Sequence, residues 1–196
     1  MKKVQKIWDW YFNMIENTGQ HDQHDYRLMK DLKLIDARPE GRVVWALKIP
    51  MYLCNSHRMF SWMGWVGCRA DWIHVGVGNL HGGAAALIFD MCTMSALGPL
   101  HEEGGWNFLG GLSRSLHPNS NVSYIRGCEL GTDVIIDCYV IQAGRTMAFI
   151  RGDIKSPDGS LVYASTEHHK VNYGPSEEMM MYEPKYEENT EVKPKL

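Results

Sequence analysis

One helix constrains the fold of this 196-residue chain more than any other feature. It follows the segment Asn79-Leu80-His81-Gly82-Gly83, and between Gly82 and Leu97 the only charged residue is Asp90. A helix that is apolar on nearly every side has to be buried on nearly every side. The rest of the chain is therefore expected to wrap around residues 82–97.

The start of this helix is suited to binding negative charge. Asn79 can cap it, and the two glycines leave the first backbone N–H groups open to a ligand. Donors of this kind stabilise a developing oxyanion. Asp90 is a second candidate, because a carboxylate in an apolar helix is costly unless it is paired or functional. The alternative interpretation is that the glycines only permit close helix packing and that Asp90 is a satisfied buried acid.

Gly82 and Asp90 are too far apart to act on one substrate atom within one chain. Eight helical residues place them about 12 Å apart along the axis. Two such helices lying antiparallel across a two-fold axis would bring Gly82 of one subunit opposite Asp90 of the other. The spacing therefore predicts a homodimer with shared sites, or a dimer of such dimers.

Composition narrows the class of protein. The formal net charge is −3, which gives no basic field of the kind that attracts nucleic acid. Five cysteines form no CxxC pair, so reduced thiols inside the cell are expected. No apolar signal core begins the chain and no segment approaches a membrane span, so the cytoplasm is the expected location, with the mitochondrion as an alternative. We expect no metal.

The flanking pattern predicts an α+β domain. Val4–Glu16 has helical apolar spacing, and strand-like segments surround the central helix: Leu32–Ile35, Val43–Ile49, Val122–Ile125, Val134–Ile141, Met147–Ile154 and Leu161–Val171. An antiparallel sheet with a meander after the helix follows from the short turns. We expect an N-terminal helical extension at 1–31, the domain at 32–174, and a polar, flexible tail at 175–196.

Three segments do not follow this pattern. Residues 56–75 are rich in tryptophan, and 101–111 show no period. The first is interpreted as a lid or the wall of a substrate pocket, as dimer surface, or as a retained intron. His21–Asp25 contains ligand-type residues but is interpreted as a polar connector rather than a metal site.

These motifs resemble a known family. His81-Gly82-Gly83 with Asp90, together with the later Asn121-Val122-Ser123-Tyr124-Ile125-Arg126 run, is similar to the hotdog-fold acyl-CoA thioesterases of the PaaI-like and thioesterase-superfamily-member-2-like group, above all its fungal members. The resemblance covers about 42–172. It implies a sheet of five to six strands around the helix, an acyl thioester as substrate, and no cofactor apart from the coenzyme A of that substrate.

The resemblance also implies residue roles. The Gly82 N–H would bind the thioester carbonyl, and His81 would orient that carbonyl or its loop. Asp90 of the partner subunit would act as nucleophile or general base. Ser113 would help to place the water, although a short insertion near 117–120 leaves Ser115 and His117 as alternatives.

One further site residue depends on an insertion. The family's asparagine before the His-Gly-Gly motif corresponds to Asn55 in Cys54-Asn55, if residues 56–75 loop out. Gly83 and Asn79 would complete the substrate site. The expected surface contacts to coenzyme A are Arg126, Arg145 and Lys170. His168 and His169 lie on a strand, where one of the two faces outwards.

Two other functions are compatible with the fold. The first is a hotdog dehydratase or hydratase, which needs a histidine shortly after the helix aspartate. Because no histidine occurs between Asp90 and His101, the sequence argues against this function. A hotdog dimer that binds an acyl thioester or aromatic ligand without turnover is the remaining alternative.

Overall fold

The computed structural model describes residues 2–18, 24–55, 78–100 and 119–172. The predictions for segment 56–75, loop 101–111, Ser113 and the tail 175–196 lie outside these residues. The helices and strands are α1 (Lys2–Thr18), α2 (His24–Asp31), β1 (Lys33–Arg38), β2 (Arg42–Lys48), α3 (Gly82–Ser95), β3 (Asn119–Tyr124), β4 (Asp133–Ala143), β5 (Met147–Lys155) and β6 (Val162–Val171).

The described strands form one antiparallel sheet in the order β1-β2-β4-β5-β6-β3. This confirms the predicted antiparallel sheet of five to six strands with one long central helix. The expected meander is present in β4, β5 and β6 but was wrong for β3. β4 pairs with β2 on one side and with β5 on the other, so β3 cannot pair with it. β3 lies instead at the far edge of the sheet, where it pairs with β6.

Helix α3 lies on the inner face of the sheet. Ile88 and Phe89 are fully buried. A Cβ atom at Gly152 of β5 would lie 3.2 Å from side-chain atoms of Phe89, Thr93 and Thr166. Only a glycine leaves room for the helix to pack this closely on the strand.

The expectation that no segment resembles a membrane span was wrong for this helix by length and composition. Gly82–Leu100, which is α3 with the residues directly after it, covers 19 residues. An 18-residue window in this segment has a mean hydropathy of 1.4, and 56% of that window is buried inside the protein. The core helix of a globular protein meets the same criteria, because it too has to be apolar on most sides.

The N-terminal segment is helical, as predicted, and packs on the same core. The rings of Trp8 of α1 and Trp45 of β2 meet edge to face with centroids 5.2 Å apart. His24 and Asp25 do not lie in a polar connector, because α2 begins at His24. Tyr26, Leu28 and Met29 bury the apolar side of this short helix.

Candidate active site

His81 caps the helix that carries the candidate site. Its backbone is extended (φ −66°, ψ 137°), and its Nδ1 accepts a hydrogen bond of 3.0 Å from the Gly83 N–H. A Cβ atom at Gly83 would lie 3.1 Å from this Nδ1, so the glycine gives the imidazole room to fold back. The prediction that Asn79 caps the helix was therefore wrong.

Gly82 presents its N–H at the helix N-terminus. Its carbonyl accepts a hydrogen bond of 2.9 Å from the Tyr124 hydroxyl. Within the described parts of the chain, the Gly82 N–H has no hydrogen-bond partner. The first N–H groups of a helix also carry the positive end of its dipole. The Gly82 N–H is therefore placed to donate a hydrogen bond to an anionic or carbonyl oxygen.

A cavity of about 370 Å³ opens beside Gly82. Its walls come from the start of α3, the end of β3 and the start of β6: Leu80, Gly82, Ala85, Tyr124, Ile125, Arg126, Gly127, Cys128, Tyr163 and Ala164. Burial raises the pKa of Cys128 to about 11, so this residue is a neutral thiol and not a ready nucleophile at pH 7.

The fold places Arg126 and Arg145, two of the predicted contacts to coenzyme A, in different regions of the protein. Arg126 lines the cavity beside Gly82. Arg145 lies in the turn between β4 and β5, near the end of β6, since its carbonyl accepts from Asn172. The structure therefore brings Arg126, but not Arg145, to this cavity.

Asn55 lies next to the His-Gly-Gly motif. The Asn55 N–H donates to the Asn79 carbonyl at 2.9 Å, and the His81 N–H donates to the Leu53 carbonyl at 2.8 Å. The short antiparallel pairing of 53–55 with 79–81 places Asn55 beside the residues that precede α3. The Asn55 side chain is exposed.

Asn79 supports a wall of the cavity. It forms a β-bridge with Glu129, and a Cβ atom at Gly127 would lie 3.0 Å from its Nδ2. The Asn79 side chain therefore packs on the loop that follows β3, rather than on the helix start.

Asp90 forms an ion pair with a buried lysine. Its Oδ1 accepts from the Lys170 Nζ at 2.9 Å, and 39% of the Asp90 side chain is exposed against 0% for Lys170. Burial lowers the pKa of Lys170, although the neighbouring Asp90 carboxylate opposes this shift. The prediction of Lys170 as a surface contact for coenzyme A was wrong, because the ammonium points into the protein towards α3.

Gly82 and Asp90 contact distant parts of the sheet. Tyr124, which touches Gly82, is opposite Ala164 in β6. Lys170, which holds Asp90, is six residues further along that strand, or about 20 Å. Within the chain, the candidate oxyanion donor and the candidate carboxylate therefore lie at opposite ends of β6.

Sequence reasoning missed a buried polar link between α3 and β6. Thr93 Oγ1 lies 2.8 Å from His168 Nδ1, and both residues are buried. His169 points to the opposite face and stacks on Phe149, with ring centroids 4.7 Å apart. The alternation of a strand was the available signal, but it does not tell which of the two histidines faces the helix.

Comparison with known proteins agrees with this architecture. Residues 77–163 match the family model of the thioesterase superfamily. Human acyl-coenzyme A thioesterase 13 is 29% identical over 144 residues, which cover 74% of this chain and 81% of the human protein.

Two solved structures share the fold. Thioesterase superfamily member 2 from Mus musculus superposes with a TM-score of 0.58 at 18% identity, over 87% of this chain and 97% of the mouse chain. A hypothetical thioesterase from Streptococcus pneumoniae with coenzyme A gives a TM-score of 0.54 at 17% identity, over 74% of this chain and 88% of that one. The chain therefore shares the hotdog fold of these structures, and its residues 77–163 resemble the thioesterase superfamily.

Proposed function

We propose that this protein is an acyl-CoA thioesterase, which hydrolyses an acyl thioester to a carboxylic acid and a thiol. The observation that carries the proposal is the open Gly82 N–H at the N-terminus of α3, in the wall of a cavity that Arg126 also lines. The names of the human relative and of the Streptococcus pneumoniae structure with coenzyme A support this substrate class. Arg126 is the candidate contact for the phosphates of coenzyme A.

In the proposed reaction, the thioester carbonyl oxygen accepts a hydrogen bond from the Gly82 N–H. Asp90 of the partner subunit takes a proton from a water molecule, whose oxygen attacks the carbonyl carbon. The tetrahedral oxyanion then collapses, the carbon–sulfur bond breaks, and the thiolate leaves and is protonated. A thiolate is a good leaving group, so the donor at the oxyanion carries much of the catalysis.

The remaining candidates have supporting roles. His81 holds the first turn of α3 through Gly83, and we propose that this fixes the direction of the Gly82 N–H. Asn55 lies beside this turn and is proposed to position the nucleophilic water or the acid. Ser113, which falls outside the described residues, is proposed to help to place the water.

The edge strand β3 suits a two-fold partner. Its six residues, Asn119–Tyr124, include no charge and no proline, whereas β1 at the other edge carries Lys33, Asp36 and Arg38. Charged residues protect a sheet edge from pairing, and their absence favours it.

Pairing two β3 strands antiparallel would complete the site. Asn119 is opposite His169 in β6, and Tyr124 is opposite Ala164. An antiparallel β3 pair would therefore set the Lys170 end of one subunit beside the Ala164 end of the other. Asp90 of the partner subunit would then lie near Gly82, which a single chain does not achieve.

We expect the protein in solution to have at least twice the chain mass of 22.4 kDa. Light scattering coupled to size-exclusion chromatography measures this directly. Asn121→Lys, at an exposed position in the middle of β3, is expected to shift the population towards monomer, since a charged residue on an edge strand opposes its pairing with another strand. A wild-type protein that remains a monomer at assay concentration would contradict the shared site.

The activity is tested by release of the coenzyme A thiol from short-chain, long-chain and aromatic acyl-CoA substrates. We expect saturable hydrolysis of at least one class, with turnover above the rate without enzyme. Binding of an acyl-CoA without thiol release, measured by calorimetry on the same preparation, would contradict the proposed enzyme activity. It would support the alternative of a ligand-binding protein.

A further inference from the structure

We propose that Lys170 is a positioning residue for Asp90, holding one carboxylate oxygen from the buried side so that the exposed side faces the reacting water. This inference rests on the proposed role of Asp90. It concerns a residue that does not touch the substrate and acts through the carboxylate alone.

The burial of Lys170 supports this role. Its side chain is 0% exposed, and the Nζ lies 2.9 Å from Asp90 Oδ1. Lysine is almost never fully buried without a partner, because desolvation of the ammonium is costly. A methionine or leucine would fill the same space without this cost. The role of the lysine is therefore to place a positive charge behind the carboxylate, and not only to fill space in the core.

The geometry of α3 makes the contact directional. Thr93 lies three residues after Asp90, and His168 lies two residues before Lys170 on the same face of β6. Asp90–Lys170 and Thr93–His168 therefore form two neighbouring links between the helix and the strand. Together they fix the rotation of α3 about its axis, and hence the direction of the carboxylate.

The second link has a defined donor. Thr93 Oγ1 donates its single proton to the Phe89 carbonyl at 2.6 Å, so it accepts the hydrogen bond from His168 Nδ1. His168 then carries its proton on Nδ1. This link is buried and supports the helix from within the core. In the described part of the chain, Lys170 forms the ion pair with the Asp90 carboxylate.

The test is a double-mutant cycle of Lys170→Met and Asp90→Asn, followed by steady-state kinetics on the best acyl-CoA substrate. Lys170→Met in the wild-type background is expected to lower kcat by about tenfold to a hundredfold, with KM nearly unchanged, because misplacing a reacting group costs that much. In the Asp90→Asn background the same change is expected to have less than about a twofold effect. Lys170→Arg is expected to recover part of kcat, since it keeps the charge.

A matched control is available on the other face of the sheet. Lys155 Nζ also pairs with a mostly buried carboxylate, at 2.6 Å from Asp137 Oδ2. Asp137 also pairs with Arg42, so Lys155→Met removes one of its two ion pairs. The change lies far from Asp90 and is expected to leave kcat unchanged. If Lys170→Met does not fold, Lys170→Gln replaces it in the cycle, because the amide still donates to the carboxylate without the charge.

The outcomes separate this inference from the proposed function. Wild-type activity in Asp90→Asn would overturn the role of Asp90 itself. Loss of activity in Asp90→Asn, together with full activity in Lys170→Met, would overturn only the role of Lys170. An equal loss from Lys170→Met in both backgrounds would mean that Lys170 acts through the fold, and a change confined to KM would mean that it acts on the substrate.

Discussion

Gly82→Pro is expected to lower kcat/KM for acyl-CoA hydrolysis by about 10²- to 10³-fold, which is the usual cost of losing one oxyanion donor. The substitution removes a single N–H group, the one proposed to bind the thioester carbonyl. Gly82→Ala keeps that N–H and is the matched control. We expect the alanine variant to retain most of the activity.

The local geometry allows this proline. Residue 82 is the first position of α3, where proline is favoured because its N–H has no partner in the helix. His81 has the extended conformation that precedes a proline without strain. A Cβ atom at position 82 would approach the Tyr124 ring no closer than 3.4 Å, an ordinary contact. The loss of activity should therefore occur without a loss of fold.

Thermal unfolding of the wild type, Gly82→Pro and Gly82→Ala shows whether activity is lost without loss of the fold. Similar unfolding temperatures with a large difference in kcat/KM between the proline and alanine variants would support the oxyanion donor. Equal kcat/KM values in these two variants would rule out the Gly82 N–H as that donor.

The central helix and the strands could be predicted from sequence because their signals are local. The apolar run after Gly82 has one interruption, at Asp90, and a helix of this composition has to lie in the core. The segments that became β2, β4, β5 and β6 are rich in β-branched and aromatic residues, which favour strands.

The errors come from contacts between residues far apart in sequence. His81, and not Asn79, caps α3, because residues 79–81 are held in an extended pairing with 53–55. Local propensity ranks asparagine above histidine at a cap and contains no information about that pairing.

Lys170 was misplaced for a similar reason. On the inner face of β6, Thr166, His168 and Lys170 alternate with outward residues that are just as polar. Alternation groups the residues of one face but cannot show which face is buried when both are polar. The partner that makes burial possible, Asp90, is 80 residues away.

Asp90→Asn is expected to lower kcat by about 10²- to 10⁴-fold, the range for loss of a general base. The amide keeps the size of the side chain and an oxygen that can still accept from Lys170, so the fold should persist. Asp133→Asn, at an exposed position at the start of β4, is the matched control and should be fully active. Activity of Asp90→Asn equal to that of the control would exclude Asp90 as base or nucleophile.

Mixing the two inactive variants tests whether the site is shared. A heterodimer of one Gly82→Pro chain and one Asp90→Asn chain has one site with both substitutions and one site with neither, if each site takes Gly82 and Asp90 from different subunits. Random exchange would then restore about a quarter of the wild-type activity per chain. If both residues served a site within one chain, every site in the mixture would stay damaged and no activity would return. Thiol release before and after unfolding and refolding the mixture therefore distinguishes the two arrangements, with each variant refolded alone as the control.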